Sequence, residues 1–470
     1  MDKRKSDIEE AIGQSDELAT NKRSVKISAI EMADIIYKRK LVRLIDGQLH
    51  WFNGFYYMCT NRTMMERYIV QWMEKEYPKQ QSYRLAKECA TLLACKKYEN
   101  EKPAESGSYL CLYRGIINLN EDRIYPENEY DRPWIPVTYR IMADIPPLPL
   151  ANIFPYTDAM DAFLSDITKG NALLIQRIWE MIGYLLSPDT KGKVFFILQG
   201  ETGSGKSVLG RVISSYFEDH KVRRLDIEQL GKRNATSALM NMCLNLSMDL
   251  PNKTLPPLAI RNIKLMTGND DVEVEFRPGV YGKYYGRCKF LFATNHPLRL
   301  TGFDKGFTSR IVCIPFHNAI PKEKQDYNLY DKLIEERNTI FIKAMKAYKR
   351  LVKNNYVFSG EGTGTYEPLI RYLPTDAENR NEIICEFVDK CCCLVPIVPN
   401  EKGTYTQILY SAYLKFCEEN CYTPINTAQG FAQSLRRNFK DSVEHTRWRE
   451  GNENKNGFRG IGLISIEYDA

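Results

Sequence analysis

Apolar runs of strand length recur through the middle of the chain, and each stops at a polar residue. "KVFFILQG" (193–200) has the continuous hydrophobicity of a strand buried on both faces of a parallel sheet. It runs straight into a glycine-rich stretch, and "SVLGRVISSYF" (207–217) follows with apolar residues at helical spacing. Strand, loop and helix are therefore expected over 194–217. "MCLNLSMDL" (242–250), "CKFLFATNHP" (288–297) and "RIVCIPF" (310–316) read as further buried strands. Between the first two of these, "VEVEF" (272–276) alternates, "RPGVYGK" (277–283) turns and "YYGRCKF" (284–290) returns, which predicts a hairpin.

The flanks follow other periods. Residues 157–187 predict a helical stretch with Phe163, Ile167, Leu174, Ile178 and Ile182 inward. Upstream, "LHWFNGFYYM" (49–58) predicts a hairpin with its turn at Asn53–Gly54, and "YLCLYRGIINLNEDRIYP" (109–126) a pair of short strands. "IPPLPL" (145–150) breaks any helix and marks a boundary. Charged helices are expected over 322–353, a flexible linker in "NNYVFSGEGTGTYEP" (354–368), and a helix near 376–392. In "ILYSAYLKFCEEN" (408–420), Ile408, Ala412, Tyr413, Phe416 and Cys417 form one apolar face. In "GFAQSLRRNFK" (430–440), Phe431, Leu435 and Phe439 face inward and leave Gln433, Arg436, Arg437 and Lys440 outward. Two strands with a long polar wing between them complete a winged helix in outline. The resulting plan is a polar tail (1–24), an N-terminal α+β region (25–150), a central α/β domain (151–355), a linker and helix (356–396) and a winged-helix domain (397–470).

Length and charge add little constraint. A chain of 470 residues exceeds one core, and a net charge of +6 suits a nucleic-acid binder without requiring one. No run of about 18 uninterrupted apolar residues occurs, so no membrane span is expected. The charged first 24 residues lack the apolar core of a signal peptide, and a cytoplasmic location follows. The thirteen cysteines are then read as reduced thiols, since no CxxC pair has a matching second pair.

The chemistry centres on "GETGSGKS", the pattern G-x-x-x-x-G-K-[ST], in the strand–loop–helix setting that it requires. Gly200, Glu201, Thr202, Gly203, Ser204 and Gly205 would turn backbone N–H groups onto phosphates, aided by the helix N-terminus. Lys206 would reach the β- and γ-phosphates of ATP, and Ser207 would ligate Mg²⁺. A metal-binding acid is expected at the end of a neighbouring buried strand, and Asp249 is in that position. Asn295 ends a third strand and can position the attacking water. Arg310 can stabilise the γ-phosphate of a neighbouring subunit's ATP. Met248 and Leu250 flank Asp249, so no second acid stands beside it; Glu201 is one candidate for activating water.

These stretches together resemble the superfamily 3 helicases, and more closely the helicase half of phage, plasmid and large-DNA-virus primase–helicases. The carriers are "GETGSGKS", "NLSMDLPNKTL", "IRNIKLMTGNDDVEVEFRPGVYGKYYGRCKFLFATNHPL" and "GFTSRIVCIPF". The third is the most specific, since that family places a helix, a turn and a hairpin between its acidic and sensor strands. The resemblance covers roughly residues 105–470, and no primase-like acidic pair is found upstream. It implies an AAA+-like P-loop ATPase core that assembles into rings, usually hexamers, and moves along single-stranded or forked DNA. Lys206, Ser207, Asp249, Asn295 and Arg310 would then carry grip, metal, sensor and finger, and a separate primase becomes a candidate partner. The hairpin at 272–287 would line the central channel.

DNA contacts are expected from Arg277, Lys283 and Arg287, with Tyr281 and Tyr284 stacking on bases. Lys283, just after the turn, is expected at the tip. Arg436, Arg437 and Lys440 would contact DNA from the terminal domain, although a winged helix can equally bind protein. Two other classes stand beside an ATP-driven replicative helicase. One is a nucleotide-switched initiator or loader that remodels duplex without processive unwinding. The other is a protein-remodelling ring, against which the hairpin and winged helix argue.

Overall fold

The computed structural model describes residues 26–464, apart from 127–134, 269–270, 278–279, 286, 302–303, 317, 322, 324, 374–378, 400, 421, 423, 426 and 452. At its centre lies a five-stranded parallel sheet. Its strands run in the order Ile311–Phe316, Phe195–Gly200, Lys289–Thr294, Leu244–Ser247 and Val222–Arg223. Helices cover both faces, as the continuous apolar strands require. Alternation along Phe195–Gly200 feeds two cores. Phe196 and Leu198 point into one with Phe163, Ile178 and Phe341, while Phe195 and Ile197 point into another with Ile263, Phe292 and Phe307. Because the strands are parallel, Gly200, Ser247 and Thr294 all finish at one edge of the sheet.

Several expectations change here. The stretch 157–187 is two helices, Asp158–Thr168 and Ala172–Leu186, separated by Lys169 and Gly170 at positive φ; all five expected inward residues are buried. Residues 109–126 form three antiparallel strands rather than two, and Leu110, Ile117 and Ile124 pack into the same core as helices Asp158–Thr168 and Ala172–Leu186. Cys111 and Ile116 of the same strands pack instead against Tyr56 of the compact N-terminal unit. It has its own core of Met32, Ile36, Ile69, Met73, Cys89 and Leu93. Its hairpin forms as expected, with Phe52 opposite Tyr57 and the Asn53 side chain accepting from the N–H groups of Phe55 and Tyr56.

The glycine-rich segment 354–368 is not a free linker. Phe358 and Tyr366 are buried in the main core. The buried Glu180 carboxylate accepts from the Ser359 N–H (2.8 Å), the Ser359 hydroxyl (2.9 Å) and Arg350 (2.8 Å). Arg177 donates to the Ser359 and Cys313 carbonyls. The segment is thus a strap across the core. It leads into a short strand, Ile370–Leu373, paired in parallel with Leu298–Thr301.

The C-terminal unit begins earlier than 397. Ile383, Ile384 and Phe387 of helix Asn379–Cys391 share one core with helices Thr406–Asn420 and Ala428–Asn438. Leu409 and Tyr410 are inward and Ile408 is exposed, so the apolar face of Thr406–Asn420 is rotated from the expected one by about a residue. The polar wing is itself sheet: Glu444–Glu450 and Glu453–Arg459 pair along their full length. Among the described residues no helix is long and apolar enough to cross a membrane.

Candidate functional site

The loop begins where Gly200 leaves the sheet. A Cβ there would lie 2.1 Å from the Phe316 carbonyl oxygen, so only glycine passes so close to the neighbouring strand. Gly205 takes φ +94° against the Phe163 ring and starts the helix Lys206–Ser214. That helix is held over the sheet by close packing: a Cβ on Gly210 would meet the Met248 sulfur at 2.6 Å.

Lys206 is buried and folds back on the loop. Its ammonium donates to the carbonyls of Gly200 and Glu201, each at 2.6 Å, and to the Ser204 hydroxyl at 3.3 Å. Burial pulls its pKa down, and the Asp249 and Glu201 carboxylates oppose that shift. Ser204 is buried and donates to the Glu201 carbonyl at 2.7 Å. Glu201, Thr202, Gly203 and Ser207 are all exposed at the mouth. Asn295 reaches the same place from the end of its strand, its amide donating to the Thr202 hydroxyl at 3.1 Å.

Asp249 is exposed just beyond Leu244–Ser247, in a turn pinned by the Leu250 N–H to the Ala293 carbonyl at 2.9 Å. The strand carrying Asp249 is one removed from the loop strand, with the Asn295 strand between them. It is not the immediate neighbour that the spacing suggested. Loop, acid and amide nevertheless share one edge of the sheet.

Arg310 does not. It precedes Ile311, which pairs with Phe195, at the end of the sheet opposite Gly200. Its backbone carbonyl accepts from Phe195, and its guanidinium donates to the Gly306 carbonyl. Six strand residues at about 3.3 Å each put it roughly 20 Å from its own loop.

The hairpin pairs Asp271–Arg277 with Val280–Tyr285. Arg277 pairs with Val280, and Lys283 stands in mid-strand opposite Glu273, away from the tip. The side chains of Arg277, Tyr281 and Lys283 lie outside the described part of the structure. Tyr284 is buried, its hydroxyl accepting from the Asn241 N–H at 2.9 Å, and cannot stack on a base in this arrangement. Arg287 is half-buried at the root of the hairpin and is paired with Asp46 of the N-terminal unit. A cavity of about 30 Å³ lies beside that pair, lined also by His50, Glu105, Phe217 and Lys289. By contrast Arg436 and Arg437 lie along one side of Ala428–Asn438, with Lys440 exposed just beyond its end, as the helical period requires.

Residues 379–466 match the family model described as Poxvirus D5 protein-like. The matched segment is the C-terminal unit defined above by its own core. The chain also aligns with solved structures of the C-terminal region of NrS-1. An A-form apo structure gives a TM-score of 0.41 at 9% identity, covering 93% of this chain and 100% of that one. A second apo structure gives 0.40 at 11% identity with the same coverage. Likeness at that level is too distant to carry a function from one chain to the other.

Sequence reasoning passed over one residue of the site, Gln199. Its signal was a polar side chain near the end of an otherwise apolar strand, directly before the first glycine of the loop.

Proposed function

We propose that this chain is an ATP-driven replicative DNA helicase that works as a ring, usually of six copies, on single-stranded and forked DNA. The observation that carries the reading is the convergence of Lys206, Ser207, Asn295 and Asp249 on one edge of a parallel sheet, with Arg310 at the other. The D5-like match over 379–466 supports a primase–helicase setting for the C-terminal unit.

The residues fit Mg-ATP. The Lys206 ammonium is held by loop carbonyls and a hydroxyl, partners that phosphate oxygens can replace. Ser207 stands in the first turn at the positive end of the helix, and the Asp249 carboxylate lies exposed within electrostatic reach of Lys206. The glycine loop would bind the β-phosphate, and Lys206 would bridge to the γ-phosphate. Ser207 and Asp249 would hold Mg²⁺, which supplies charge neutralisation on the phosphate oxygens. Asn295 would orient the attacking water. Arg310 would reach the γ-phosphate of the adjacent subunit, since its own lies beyond the span of one side chain.

The basic side formed by Arg436, Arg437 and Lys440 also favours a second reading, a nucleotide-switched initiator or loader on duplex DNA. Steady-state ATP turnover with and without single-stranded DNA tests the leading reading. Stimulation by DNA is expected, and an ATPase indifferent to DNA would argue for a protein-remodelling ring instead.

A further inference from the structure

Gln199 stands directly before the first glycine of the loop, and it is buried. A buried amide must find partners for two donors and two acceptor sites. Here all four are used, on three separate segments. Its Nε2 donates to the His296 carbonyl at 3.0 Å and to the Leu369 carbonyl at 3.2 Å. Its Oε1 accepts from the Leu369 N–H at 2.8 Å and from the Cys313 thiol at 3.7 Å. One N–H and two carbonyls among the partners fix which way the amide points.

Each partner leads somewhere. His296 follows Asn295 in a turn that the Thr294 hydroxyl braces from the other side. Leu369 ends the strap over the core, and its carbonyl also accepts from the Leu298 N–H at 2.8 Å. From there the paired strands Leu298–Thr301 and Ile370–Leu373 reach the C-terminal unit, where Arg299 donates to the Asn420 carbonyl at 3.3 Å. One side chain, Gln199, therefore holds both the Asn295 turn and the strand that leads to the C-terminal unit.

We propose that Gln199 is a positioning residue that fixes the turn bearing Asn295 and links its placement to the C-terminal unit, so that the nucleotide state changes that unit's grip on DNA. This rests on the ATPase reading above. Gln199 touches no phosphate in that reading, so its loss should separate turnover from nucleotide binding.

The test compares wild type, Gln199→Leu and Leu369→Pro. The readouts are the affinity for a fluorescent ATP analogue, kcat and KM for ATP, and the ratio of duplex affinities with and without a non-hydrolysable analogue. For Gln199→Leu, nucleotide affinity and KM should hold within about twofold, because the Lys206 contacts remain. Its kcat should fall about 10²-fold through misplacement of Asn295. The duplex-affinity ratio, about 5–150-fold for a typical coupled system, should collapse toward one. Leu369→Pro removes only the strap N–H and leaves the His296 bond, so it should keep kcat and lose the ratio. Wild-type kcat in Gln199→Leu, or a fall matched by equal loss of nucleotide affinity, overturns the proposal. If Gln199→Leu does not fold, a wild-type ratio in Leu369→Pro overturns it. A wild type with no ATP turnover instead overturns the ATPase reading, and the role of Gln199 with it.

Discussion

Arg310 offers the sharpest quantitative consequence. The strand that follows Arg310 pairs residue by residue with the loop strand, from Ile311 opposite Phe195 to Phe316 opposite Gly200. Arg310 therefore sits at the wrong end of its own sheet to touch its own nucleotide, and any action on a γ-phosphate is in trans. Arg310→Ala should lower turnover by about 10³–10⁵, as removal of an arginine finger does. Lys206→Ala should be equally inactive for a different reason. When the two are mixed in equal amounts, a working interface needs the pocket of an Arg310→Ala subunit facing the arginine of a Lys206→Ala subunit. Random assembly makes that arrangement at about one interface in four, so turnover should recover to roughly a quarter of wild type if interfaces act independently. The assay is ATP turnover of mixed, refolded or co-expressed subunits, with mixed assembly verified by differential tags. Mixed assemblies no more active than either parent would refute action in trans. So would wild-type turnover by Arg310→Ala alone.

Three other outcomes follow from the packing and the charge pattern. His50 is buried, and burial together with the nearby Lys221 and Arg287 charges pushes its imidazole from 6.5 down to about 4. The unfolded chain then binds a proton that the folded one refuses, so this contribution is complete above pH 6.5 and is lost as pH falls from 6.5 to 4. It amounts to about 3 kcal/mol, and His50→Asn should flatten the pH dependence of the urea midpoint across that window. Glu180→Leu strands the Ser359 N–H and hydroxyl and should cost about 2–3 kcal/mol, with faster hydrogen exchange at 358–361; unchanged exchange would contradict the strap. The Arg436→Ala, Arg437→Ala double variant should weaken duplex binding at all sequences and reduce the salt slope by about 0.9 for each phosphate that is no longer neutralised. Unwinding of a preloaded fork should survive it, and an unchanged salt slope would exclude these residues from the DNA interface.

The glycine-rich loop was legible because its pattern is both local and dictated by sterics. Gly200 passes within van der Waals contact of Phe316, and Gly205 needs positive φ, so glycine is required at those spacings whatever surrounds them. The basic side of Ala428–Asn438 was legible for the same local reason, the helical period. What misled was composition. Residues 354–368 are rich in glycine and asparagine and read as a tether, yet Ser359 and Tyr366 anchor them to Glu180 and Asn171, far away in the chain. Arg287 and Tyr284 looked like hairpin residues free to meet DNA. The N-terminal unit and the Asn241 loop claim them, and nothing in the local sequence announces that pairing. Strand order was likewise invisible. The chain places Asp249 before Asn295, but the sheet sets the Asn295 strand between the acid and the loop.

The most direct test of ring-driven unwinding is strand separation itself. A forked duplex with a single-stranded tail is incubated with the full chain, Mg²⁺ and ATP, beside Lys206→Ala and a non-hydrolysable analogue. ATP-dependent release of the displaced strand is expected from wild type, and none from Lys206→Ala or with the analogue. A wild type that hydrolyses ATP in response to DNA and leaves the fork intact would contradict the helicase reading and favour the loader.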